Sequence, residues 1–103
     1  MNNALSPMPY RSSPVFDEHT LPAALRREHR TKQGVWGVIR VLEGELKLTY
    51  TGSGEVRMLS PEAPGLILPD QPHLVEAQGS MRMQVDFYNQ PPDLQQSASG
   101  LES

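Results

Sequence analysis

Three histidines, at positions 19, 29 and 73, are the side chains of this sequence best suited to chemistry. Imidazole binds divalent metals and moves protons near neutral pH. His73 stands in LPDQPHLVEA, residues 68–77, behind a turn stiffened by Pro69 and Pro72. Fixed φ angles ahead of a strand would hold the ring in one direction, as a metal ligand or a catalytic base requires. The competing reading is a half-exposed polar residue at the edge of a turn. His29, in LRREHRT, shares an extended face with Leu25 and Arg27, so it is either a ligand turned to a barrel interior or a structural histidine. His19, in FDEHTLP, precedes the first clear element and reads as a surface residue.

Carboxylates can be placed beside His73 only through a strand register. If Gln78-Gly79 is a two-residue hairpin turn, Ala77 pairs with Ser80 and His73 with Gln84. His73, Val75, Arg82, Gln84 and Asp86 then share a face, with Asp86 diagonal to His73 and within reach. Glu76 falls on the other side, with the methionines, and a one-residue slip reverses both placements. The alternation of Met81, Met83, Val85 and Phe87 marks a core face. That conflicts with an inward Asp86 unless the histidine face lines a polar pocket or a bulge intervenes. Arg40 and Arg82 interrupt apolar strands, and pairing to Glu43 or Asp86 is preferred over contact with an anionic ligand. Trp36, Tyr50 and Phe87 read as core or dimer packing. No serine or cysteine nucleophile arrangement is visible, and GSGE from residue 52 is turn chemistry rather than a phosphate loop.

The elements that must position these residues are short strands. VWGVIRVL (35–42) and ELKLTYT (45–51) flank Glu43-Gly44, EVRML (55–59) follows GSG, and LIL (66–68), HLVEA (73–77) and MRMQVDFY (81–88) complete the set. Strands this short and evenly spaced indicate an all-β antiparallel sandwich or barrel. Residues 23–30, behind Pro22, are expected to be extended rather than helical. The Pro-, Ser- and Asn-rich residues 1–14 read as a flexible arm, 15–91 as a single domain and 92–103 as a flexible tail.

Composition narrows the function classes. A chain of 103 residues builds one core. A net charge of −3, with Arg26, Arg27, Arg30 and Lys32 interrupted by Glu28, argues against a nucleic-acid partner. No apolar run reaches membrane-spanning length and no signal-peptide pattern opens the chain, so no membrane partner and a cytoplasmic location are expected. With no cysteine, any metal must be held by His, Asp or Glu.

VLEGELKLTY resembles the closing turn of the first cupin motif, and GLILPDQPH the second. More specifically, LPAALRREHRTKQGVWGVIRVLEGEL with PGLILPDQPHLVEAQGSMRMQVDFY resembles the TehB/YeaR-like small cupins. That resemblance implies a cupin double-stranded β-helix of jelly-roll type, a link to tellurite, oxyanion or nitrosative stress, and a homodimer that covers exposed sheet edges by pairing. It also implies ligand roles for His29 and His73 and acidic residues at the Glu76 and Asp86 positions. The chain departs from typical cupins in its first motif, where Thr31, Gln33 and Gly37 stand at the ligand positions. The resulting expectation is a metal-binding cupin with His29, His73, Asp86 and Glu76 around zinc, iron, nickel or manganese. A small molecule or oxyanion would bind at the open positions. The alternatives are a metal-dependent oxygenase or hydrolase, and a metal-free small-ligand sensor or interaction module.

Overall fold

The computed structural model describes residues 8–92. Eight strands follow in order: β1 (Arg11–Ser12), β2 (Phe16–Asp17), β3 (Trp36–Glu43), β4 (Leu46–Tyr50), β5 (Glu55–Leu59), β6 (Gly65–Ile67), β7 (His73–Ala77) and β8 (Arg82–Tyr88). They form two antiparallel sheets. One runs β1-β8-β3-β6 with β2 also on β8, and the other runs β5-β4-β7. The protein is therefore all-β, as the alternation in its sequence requires. Among the described residues no helix is long and apolar enough to cross a membrane.

The strands meet through their apolar faces. Leu46, Leu48 and Tyr50 alternate inward from β4, Ile39 and Val41 from β3, and Met83 from β8. Leu46, Leu48 and Met83 are fully buried, each contributing on the order of 2 kcal/mol of hydrophobic stabilisation. The Tyr50 hydroxyl donates to the Leu66 carbonyl at 2.6 Å, tying β4 of one sheet to β6 of the other. Gly44 makes the β3–β4 connection at φ 78°, where an added Cβ would run into the Ser80 carbonyl.

Two expectations are corrected by this architecture, and part of the segment expected as an arm is placed. Residues 23–26 form a 3-10 turn instead of an extended run, because the Pro22 carbonyl accepts from Leu25 N–H at 3.0 Å and Ala-Ala-Leu offers no β-branched resistance. Gln78-Gly79 is not a hairpin turn: β7 pairs with β4 while β8 pairs with β3, so the segment crosses between sheets. The pairing of His73 with Gln84, and with it Asp86 beside His73, does not form. Finally, Arg11 and Ser12, inside the expected arm, pair with Phe87 and Asp86 of β8. The expected tail from 92 onward lies outside the described residues, apart from Pro92.

Candidate functional site

A cavity of about 690 Å³ opens between the sheets, a size suited to a small molecule. Its inner wall is apolar, with Ile39, Ile67, Val75, Met83 and Val85 contributed by strands of both sheets. Residues 10–14 and the 3-10 turn residue Leu25 close one side. Among the described residues, His29 and His73 are the imidazoles of the lining, Arg11, Arg30 and Lys32 its other basic groups, and no Asp or Glu belongs to it.

The LPDQ turn explains why a histidine stands where it does. Gln71 N–H donates to the Leu68 carbonyl at 3.1 Å, with Pro69 and Asp70 between them. Asp70 takes φ 60°, so the turn has the type II pattern, with proline at its second position and a left-handed residue at its third. The Gln71 side chain accepts from Leu68 N–H at 2.9 Å and closes the loop a second time. The chain then enters β7 with His73 directed inward, 3% exposed.

His29 reaches the same place by backbone pairing. Its N–H donates to the His73 carbonyl at 2.9 Å, and His73 N–H donates back at 3.0 Å. The rings lie 4.0 Å apart between centroids at an interplanar angle of 57°. His73 Nδ1 lies 2.8 Å from the Gln71 carbonyl and His29 Nδ1 lies 3.1 Å from that of Arg27. Burial pushes the His73 imidazole below its usual range, against the opposing pull of the Gln71 carbonyl.

Both candidate carboxylates lie elsewhere. Asp86 alternates with Val85 and Phe87 and so faces away from the cavity, bonded to Arg40 Nε at 2.7 Å and to the Ser12 hydroxyl at 2.6 Å. Glu76 alternates with Val75, is exposed, and lies 4.0 Å from Lys47 Nζ. His19 is on the surface beside Glu18. The structure thus joins two of the four expected ligands and separates the other two. Among the described residues there is no group of three or more His, Cys, Asp or Glu able to hold a metal ion. What sequence reasoning missed is the arm: Tyr10, Arg11, Ser12 and Ser13 line the cavity. A polar, proline-flanked segment carries no apolar alternation, so no signal marked it.

Fold and cavity define a two-sheet, all-β domain with a cavity between its sheets. The TehB-like domain family matches residues 11–85, and the chain belongs to that family. A probable S-adenosyl-L-methionine-dependent methyltransferase TehB of Haemophilus influenzae is 36% identical over 73 residues, covering 66% of this chain and 26% of the relative. A second, from another strain of that species, is 34% identical over the same length. The chain spans about a quarter of the curated relatives it matches. The crystal structure of TehB from H. influenzae matches with a TM-score of 0.72 at 30% identity, over 82% of this chain and 32% of that one. A crystal structure of an Escherichia coli K12 protein gives 0.74 at 23% identity, over 84% and 94% of the two chains, a likeness of fold alone.

These relatives correct the functional expectation. By description they are probable S-adenosyl-L-methionine-dependent methyltransferases, which overturns the metal-binding cupin expected from the sequence. They lend no support to a metal-dependent oxygenase or hydrolase or to a metal-free sensor. The divalent-metal cofactor is overturned with them, since the relatives are described by their dependence on S-adenosylmethionine and the carboxylates here face away from the histidines.

Proposed function

We propose that this chain serves S-adenosylmethionine-dependent methyl transfer as the part that holds the methyl acceptor, in the cavity between its sheets. One observation carries the reading: all the lining residues but Tyr10 and Phe87 fall within the segment matched to the TehB-like family. The methyl donor itself does not fit this cavity. Among the described residues its lining offers no carboxylate for ribose hydroxyls, and there is no glycine-rich strand-to-helix turn for the methionyl end. The donor is held by residues other than these, and the β-domain presents the acceptor to it.

Two assays test the reading together. Equilibrium dialysis should leave labelled S-adenosylmethionine unretained by this chain. Adding the chain to H. influenzae TehB lacking its matching segment should raise methyl transfer to tellurite, the oxyanion to which the family resemblance points. Retention of the label, or no rise in transfer, overturns the proposal.

The finer architecture belongs to the same proposal. The orders β1-β8-β3-β6 and β7-β4-β5 support a jelly-roll winding across one domain of residues 15–91, with β1 added at the rim. A cytoplasmic location is also proposed, supported by a sequence without cysteine. The proposed homodimer forms along β5, which has no strand on its outer edge among the described residues. Val56 and Met58 are about half exposed there, an edge of the kind that pairs with another chain. Antiparallel pairing about a two-fold axis at Val56 sets Glu55 opposite Arg57 twice, which is charge-complementary.

A further inference from the structure

The hydrogen-bond polarity of the two imidazoles specifies what the cavity takes. Each Nδ1 lies on a backbone carbonyl oxygen, that of Arg27 for His29 and that of Gln71 for His73. A carbonyl only accepts, so Nδ1 is the donor and carries the ring proton. In the neutral ring Nε2 is then an acceptor, and among the described residues neither Nε2 has a hydrogen-bond partner. With ring centroids 4.0 Å apart, the two acceptors lie close together in a cavity whose inner wall is otherwise apolar. An acceptor that exchanges water for an apolar ligand loses a hydrogen bond unless the ligand supplies a donor.

The cavity mouth has the opposite preference. Arg11, Arg30 and Lys32 stand in a lining that, among the described residues, contains no carboxylate. Arg30 Nη1 is 3.5 Å from Asp70 and the Arg11 guanidinium lies 5.0 Å over the Phe87 ring. Lys32 is exposed and makes no ion pair among the described residues. This arrangement favours an anionic group at the entrance.

The geometry points to a ligand class: a compact apolar acid bearing a hydroxyl or thiol, its O–H or S–H donated to the His29–His73 pair and its anionic end at Arg11 and Lys32. This rests on the acceptor-holding reading and adds an organic class of acceptor beside the tellurite of that assay. Transfer from S-adenosylmethionine forms an O–CH3 or S–CH3 bond, breaks the sulfonium S–CH3 bond, leaves S-adenosylhomocysteine and releases the hydroxyl or thiol proton. The methylated product has no hydrogen left to donate. The imidazole pair therefore holds the acceptor more tightly than its own product, which favours release after transfer.

Calorimetric titration of the unmodified chain with three probes tests this: para-hydroxyphenylpropionate, phenylpropionate and para-methoxyphenylpropionate. The hydroxy compound should bind about tenfold more tightly than either of the others, the scale of one net hydrogen bond. In His29→Phe and His73→Phe variants, checked for native circular dichroism, that preference should collapse to within about twofold. Equal affinity for the three probes, no binding of any, or a preference that survives in both variants overturns the proposal. The probe comparison in the unmodified chain stands even if a variant fails to fold. No S-adenosylmethionine is present in these titrations, so their failure leaves the methyl-transfer reading to its own assays. Discrimination without stimulated transfer would sink that reading alone.

Discussion

At the scale of the residue, Asp86 shows how a buried charge is tolerated on the far side of the cavity wall. It is 5% exposed and meets Arg40 Nε at 2.7 Å and the Ser12 hydroxyl at 2.6 Å. Burial presses its carboxyl upward, and the bonds from Arg40 and Ser12 outweigh that and hold it below the ordinary 3.8. A lowered carboxylate pKa contributes stability that is complete above the unfolded value and disappears as pH falls through the folded one. Asp86→Asn should therefore cost about 1–2 kcal/mol near neutral pH, discounted because Arg40 is 45% exposed. The gap to the parent should close as pH falls below 3.8. Urea unfolding at both pH values reads this, and a gap that does not change with pH would rule it out. The sequence placed Arg40 with Asp86 or Glu43 correctly, since a charge interrupting an apolar strand needs a partner. It misplaced Asp86 relative to His73, because alternation says which residues share a face and not which sheet the face belongs to.

At the scale of the element, the turns carry the specificity. The proline turn before His73 was legible because Pro69 and Pro72 fix local angles whatever surrounds them. The Gln78-Gly79 segment was misread for the complementary reason. Gly79 at φ 89° permits a tight hairpin, yet the partners of β7 and β8 are strands more than 20 residues away in sequence, Leu46–Tyr50 and Trp36–Glu43. Local turn chemistry carries no information on that pairing. Gly44 is the sharper test of an element. Its left-handed φ of 78° and its approach to the Ser80 carbonyl leave no space for a methyl group. Gly44→Ala should lower stability by about 2–4 kcal/mol, seen as a shifted thermal midpoint. Gly54→Ala, also at positive φ but with open space around its Cβ position, should cost less, about 1 kcal/mol. Equal losses at the two positions would mean that contact with Ser80 does not matter.

At the scale of the whole molecule, the all-β class was legible from strand length and spacing, whereas the cavity was not. It is assembled from segments as distant as Tyr10 and Phe87, and no window of sequence contains it. The family resemblance read from the cupin-like motifs agreed with the TehB-like match, and the metal chemistry attached to it did not survive. Association belongs to this scale as well. Sedimentation velocity should find a dimer, and Val56→Lys, which sets two like charges together at the two-fold axis, should give a monomer with an unchanged circular dichroism spectrum. A monomeric parent chain would remove the β5 interface.

One wall of the cavity comes from outside the core. Residues 10–13 are fastened to β8 by a two-residue strand and a few backbone bonds, Tyr10 N–H to the Phe87 carbonyl and Ser13 N–H to that of Val85 among them. The histidine pair, by contrast, is anchored where β7 meets the buried sheet interior. The hydrogen-bonding end of the cavity is thus built into the fold, and its rim is built from residues 10–13. Exchanging residues 10, 11 and 13 would reshape the rim for a differently shaped guest, provided Ser12 stays to hold Asp86.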